Sequence, residues 1–146
     1  MCNISVIIPF YKGNKYLTGL KQSLENACIS YEGKVEVIVV NDSPNEKIEK
    51  TLIQSEKYDL VIVEHDVNYG IHKARVTGIG KAKGEYILLL DQDDKIKNEF
   101  FKESGSCGVI RSNARGNDTS CVCGGRRYCP DKNRRRLDNA GRGLRK

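Results

Sequence analysis

A chain of 146 residues is long enough for one domain with a real core and too short for two of ordinary size. Its net charge of +6 is unevenly spread: up to Lys102 lysines and acids nearly balance and Arg75 is the only arginine, whereas arginine dominates from Arg111 to Arg145. The positive excess therefore belongs to the last third, and specific nucleic-acid binding by the patterned part is not expected.

Ile4-Ser5-Val6-Ile7-Ile8 is a β-branched strand, closed by Pro9, and a loop runs on to Asn14. From Lys15 the period changes, with Tyr16, Leu17, Leu20, Leu24, Ala27 and Cys28 at helical spacing. A second strand, Val35 to Val40, stops at Asn41-Asp42-Ser43-Pro44, and Ile48, Leu52 and Ile53 predict a helix over 46–54. Leu60 to Val63 reads as a third strand, followed by Asn68-Tyr69-Gly70 and a helix from Ile71 to Ala82, which Gly84 is expected to cap. Tyr86 to Leu90 is continuously apolar, as in a strand covered on both faces, and ends in the carboxylates Asp91, Asp93 and Asp94.

Strands alternating with helices predict an α/β fold, a mostly parallel sheet with helices on both faces. Ligands of such sheets sit beyond the carboxyl ends of the strands, where Pro9 to Asn14, Asn41 to Ser43 and Asp91 to Asp94 fall. The Gly-x-Gly-x-x-Gly and Gly-Lys-Ser/Thr phosphate loops are absent, which disfavours a dehydrogenase or NTPase. Clustered carboxylates call for a cation, and oxygen ligands favour magnesium or manganese over zinc.

Taken in order, Ile4 to Tyr11, Val37 to Ser43, Asn68-Tyr69-Gly70, Ala74-Arg75, Gly78-Ile79, Gly84 to Ile87 and Asp91-Gln92-Asp93-Asp94 resemble the nucleotide-binding half of family 2 glycosyltransferases, over about residues 3–101. The resemblance implies a GT-A, Rossmann-like fold, a nucleotide-sugar donor of UDP type, and inverting transfer of the sugar to an acceptor hydroxyl in polysaccharide or glycoconjugate synthesis. It puts Pro9 and Tyr11 against base and ribose, Asp42 on the base and Arg75 near base and diphosphate. Asp91 falls on the ribose and at the metal, and Asp93 on Mg2+ or Mn2+ with Asp94 beside it. Val76 stands where the family's block has asparagine, and no match for the family's downstream catalytic carboxylate occurs.

Read singly, the same residues have plainer roles. Tyr11 suits loop packing, Asp42 a helix cap, Arg75 a solvated helix face, and His65 and His72 structural positions. Two rival functions stay open: a binding-only fragment, and a phosphatase with Asp91 as nucleophile and Asp93 as acid.

Beyond Lys102 the periodicity is lost and glycine is frequent, so 103–146 is expected to be a disordered basic tail. Cys107, Cys121, Cys123 and Cys129 have no Cys-x-x-Cys spacing for zinc, and Cys2 and Cys28 read as ordinary buried thiols. The exchange of lysine for arginine is the pattern expected of out-of-frame translation or a truncated gene. Met1-Cys2-Asn3 leads straight into a strand, so a cytoplasmic protein is expected. The acceptor, a glycan or lipid-linked group, is left open, the latter drawing the protein to the cytoplasmic face of the membrane.

Overall fold

The computed structural model describes residues 3–29, 31–98, 100–101, 109–111, 120–123 and 126–128. Strand β1 (Ile4–Phe10) lies at the centre, between β2 (Val35–Asn41) and β4 (Tyr86–Leu89), with β3 (Asp59–Glu64) outside β2. All these pairings are parallel, giving the order β3-β2-β1-β4. The chain thus steps outward on one side of β1 and returns on the other, so a crevice opens at the strands' carboxyl ends.

Helices α1 (Asn14–Cys28) and α2 (Ile71–Lys81) cover opposite faces. The period of two along β1 divides its side chains: Ile4, Val6, Ile8 and Phe10 join Leu17, Leu20 and Leu24 of α1 in the larger core. Ile7 joins Ile38, Val40, Ile87 and Ala74 of α2 in the smaller one. Each fully buried leucine of α1 contributes roughly 2 kcal/mol. Helix α2 approaches more closely, since a Cβ on Gly78 would lie 2.4 Å from Ile7 Cγ2.

Several sequence expectations are corrected. Strand β1 runs through Pro9 to Phe10, paired with β2 up to Phe10 and Asn41. Even-numbered residues of β1 bond towards β2, as Asp42 N–H donates to Phe10 O, and odd-numbered ones towards β4, as Leu90 N–H donates to Ile7 O. Pro9 therefore aims its missing donor at β4 just where that pairing has ended.

The helix expected over 46–54 is a single 3-10 turn, Lys50–Leu52. Asn14 Nδ2 donates to Glu46 Oε1 at 2.8 Å and Lys47 O at 3.1 Å, and Asn14 Oδ1 accepts from Glu49 N–H at 3.2 Å. These bonds from a distant side chain hold the backbone extended, while Ile48 and Ile53 still reach the core. Gly84 does not cap α2, which ends at Ala82 in an extended conformation. A Cβ at Gly84 would sit 2.7 Å from Ser5 N, so glycine is needed there for the close approach to β1.

Of the stretch expected to be disordered, three short segments are strands: β5 (Val109–Arg111), β6 (Ser120–Cys123) and β7 (Arg126–Tyr128). They extend the sheet antiparallel from β4. Such pairing needs only the free backbone groups of an open edge, which hydrophobic periodicity does not register. The remainder of 103–146, with Cys107 and Cys129 of the zinc reading, lies outside the described residues, as does Cys2. Cys28 is buried and free, its thiol pushed up to about 11 by burial.

Candidate functional site

A cleft of about 390 Å3 opens at the carboxyl ends of β1, β2 and β4. Its lining includes Pro9 near the end of β1 and Tyr11 after it, Asp42 after β2, Asn68, Gly70 and Ile71 leading into α2, and Asp91, Gln92 and Asp93 after β4. Of the residues singled out in the sequence, the fold brings Pro9, Tyr11, Asp42, Asp91 and Asp93 together around one space. Arg75 is not in the lining but stands behind it, its Nη2 2.7 Å from Asp91 Oδ1. Asp94 is exposed, and its N–H closes a turn onto Asp91 O at 3.1 Å.

Asp42 is only 3% exposed. Its Oδ1 lies 2.8 Å from His65 Nδ1 and accepts from Tyr69 N–H at 2.9 Å, and its Oδ2 accepts from Gly70 N–H at 2.7 Å. Burial pushes this carboxyl up, but the bonds from His65, Tyr69 and Gly70 outweigh it and hold Asp42 below the usual carboxylate range. Four lone-pair positions with three filled leave one acceptor, on Oδ2, for a ligand. Gly70 enters α2 at φ +89°, which a side chain would disfavour, and this conformation delivers its N–H to Asp42. The capping role allowed for Asp42 is thus spent on the loop before α2 rather than on a helix after β2.

The acids after β4 are differently placed. Asp91 is half-buried and ion-paired, whereas Asp93 is exposed at the cleft. Among the described residues no three of His, Cys, Asp and Glu converge as a metal cage. Arg75 Nε is buried without a partner, an unmet donor beside Asp91.

Gln92 and His65 carry more of the site than their sequence reading assigned. Gln92 Oε1 accepts from Tyr11 N–H at 2.8 Å and its Nε2 donates to Tyr11 O at 3.0 Å, lacing the β1 and β4 loops together. His65 spans Asp42 and Thr77, with Nε2 3.0 Å from Thr77 Oγ1. Neither has a motif spacing, but both follow strands at the edge where loops converge, and that position is the available signal. His72 is exposed on α2. Among the described residues no helix is long and apolar enough to cross a membrane.

The model of the family described as "Glycosyl transferase family 2" matches residues 5–141, beyond the 3–101 expected. Poly(ribitol-phosphate) beta-N-acetylglucosaminyltransferase TarS of Staphylococcus aureus is 33% identical over 111 residues, covering 73% of this chain and 19% of TarS. The minor teichoic acid biosynthesis protein GgaB of Bacillus subtilis is 33% identical over 102 residues, 68% of this chain and 11% of GgaB. The structure of S. aureus TarS 1-349 in complex with UDP superposes with a TM-score of 0.62 at 32% identity, covering 70% of this chain and 31% of that one. The corresponding complex with UDP-GlcNAc gives 0.57 at 31% identity, covering 70% and 30%. The chain thus spans less than a third of each of these proteins.

Proposed function

The chain belongs to glycosyl transferase family 2, and from that premise we propose that its cleft binds a UDP-sugar with a divalent metal, for inverting transfer of the sugar to an acceptor hydroxyl. The observation that carries the reading is the meeting of Asp42, Asp91 and Asp93 around one cleft at the ends of three parallel strands. The UDP and UDP-GlcNAc complexes of TarS support the donor class. The remaining acceptor on Asp42 Oδ2 fits the single ring N–H of uracil, with Tyr11 and Pro9 along base and ribose. Asp91, oriented by Arg75, accepts from ribose hydroxyls.

The donor set fits Mg2+ or Mn2+, since these cations need only one or two carboxylates when a ligand's phosphates complete their shell. Asp93 would hold the ion, with Asp91 next to it but already partly neutralised by Arg75. When bound, the metal supplies charge stabilisation to the departing diphosphate. Arg75 Nε is buried and Arg75 lies outside the cleft lining, so this reading gives Arg75 the orientation of Asp91 and no bond to the donor molecule. The attacking hydroxyl also has to give up a proton. Asp42 is saturated but for one lone pair and Asp91 is ion-paired, so this reading assigns the base to neither.

The acceptor in this reading is a glycan or lipid-linked group in polysaccharide or glycoconjugate synthesis, the names of GgaB and TarS being those of a teichoic acid biosynthesis protein and a poly(ribitol-phosphate) beta-N-acetylglucosaminyltransferase. The phosphatase alternative loses ground, because a guanidinium on Asp91 weakens it as a nucleophile.

Calorimetric titration with UDP, with and without manganese, tests the proposal. Wild type is expected to bind more tightly with the metal, and Asp93→Ala to lose that increment; equal affinities would overturn the metal assignment. Tight binding of UDP-GlcNAc with no release of UDP when glycan and lipid-linked acceptors are supplied would reduce the chain to a binding-only unit.

A further inference from the structure

His65 is a polar side chain held at both ring nitrogens beside the cleft, and the donor-site reading leaves it without a task. Its side chain is 9% exposed, and it touches three parts of the fold. Nδ1 lies 2.8 Å from Asp42 Oδ1, Nε2 lies 3.0 Å from Thr77 Oγ1 on α2, and the ring meets Tyr69 edge-on at 5.1 Å between centroids. Its own N–H is tied to Asn41 O at 2.9 Å, so its backbone is fixed to the end of β2.

The chemistry of the two partners sets the tautomer. An ionised carboxylate only accepts, so Nδ1 carries the proton, and in the neutral ring Nε2 then accepts from the Thr77 hydroxyl. The ring is held at both ends, much as an outer partner orients a metal-ligating histidine.

We propose that His65 is the positioning residue for base recognition: it fixes Asp42 so that only one acceptor, on Oδ2, is left for the ligand. The inference rests on the reading of the cleft as a UDP-sugar site. The other two donors to Asp42 are the N–H groups of Tyr69 and Gly70, both from one loop in which Tyr69 is 50% exposed. His65 differs, since it is anchored to β2 and α2. Among the described residues, no other hydrogen bond from outside that loop holds the carboxylate. Uracil presents a ring N–H to a fixed acceptor, whereas cytosine presents a lone pair at the same ring position and is repelled. The ratio of UDP to CDP affinity therefore reads the orientation of Asp42 separately from the stability of the fold.

The test is calorimetric titration of the full chain with UDP and with CDP. Wild type is expected to favour UDP, and His65→Leu to narrow the UDP-to-CDP ratio by roughly tenfold, as for one hydrogen bond to a charged group. His65→Asn, whose amide N–H stands near the place of Nδ1–H, is expected to retain most of the ratio, and Thr77→Val to fall between. If His65→Leu does not fold, Thr77→Val and the 15N shifts of the wild-type ring decide: Nδ1 must carry the proton in the free protein and with UDP. A folded His65→Leu with the wild-type ratio, or a ring protonated on Nε2 alone, would overturn the proposal. Should wild type not bind UDP, or should Asp42→Asn keep the full ratio, the donor-site reading itself fails. Loss of the ratio in Asp42→Asn with none in His65→Leu would remove the role of His65 only.

Discussion

The loops after β2 and after β4 are both acidic turns at the same edge of one sheet, separated only by β1, yet they are built in opposite ways. Asp42 is buried, with three donors already on its carboxylate. Asp93 and Asp94 are exposed, and Asp91 keeps a side chain 41% exposed beside its arginine. A saturated, buried carboxylate can recognise little besides one further donor in one direction. An open cluster is able to take a hydrated cation and rearrange around it. In the proposed reading, shape recognition falls to the first loop and charge neutralisation to the second.

The largest difference is expected from removing each acid in turn. Asp42→Ala strands the N–H groups of Tyr69 and His65 and leaves Gly70 N–H only its bond to Asn68 Oδ1, and should lower stability by about 2–4 kcal/mol in urea unfolding. Asp93→Ala, at an exposed position, should change stability by no more than about 0.5 kcal/mol. Similar losses at both sites would erase the distinction between the loops.

Acid should open the first loop next. The Asp42 carboxyl is held below its ordinary value, so its contribution to stability is complete above that value and lost as pH falls through the folded one. The protection of the Tyr69 and Gly70 amides against hydrogen exchange, relative to their intrinsic rates, should therefore be high near neutrality and fall below about pH 4. Protection that persisted to strong acid would mean that Asp42 does not hold the loop.

A smaller effect is expected at the lacing between the β1 and β4 loops. Gln92→Ala removes both bonds to the Tyr11 backbone, at an exposed place, and should cost about 1 kcal/mol or less. UDP affinity should fall severalfold, since Tyr11 and Asp93 would no longer be held in register. Unchanged affinity would show that the two loops act independently.

The strands were legible because β-branched apolar runs state their own pairing tendency, and their alternation with helical spacing stated the parallel order. Pro9 was misread because the side on which its missing N–H falls depends on the register with β2 and β4, which no local pattern contains. The stretch 46–54 was misread for a related reason: Ile48, Leu52 and Ile53 have helical spacing, but Asn14, more than thirty residues away, holds the backbone out of a helix. At the site, Tyr11, Asp42, Asp91 and Asp93 lie in loops after strands whose ends converge, and the family resemblance pointed to them and to Pro9 near the end of β1. The pairing of Arg75 with Asp91 and the bridging by His65 and Gln92 could not, since each joins residues distant in sequence. Gly84 announced a cap, whereas the space beside Ser5 is what requires it.

The most direct test is a crystal structure of the chain with UDP and manganese, located by its anomalous scattering. The uracil ring N–H is expected on Asp42 Oδ2 and the manganese peak on the Asp93 carboxylate, within one continuous ligand. A uracil turned away from Asp42, or a manganese peak with no ligand from Asp93, would contradict it.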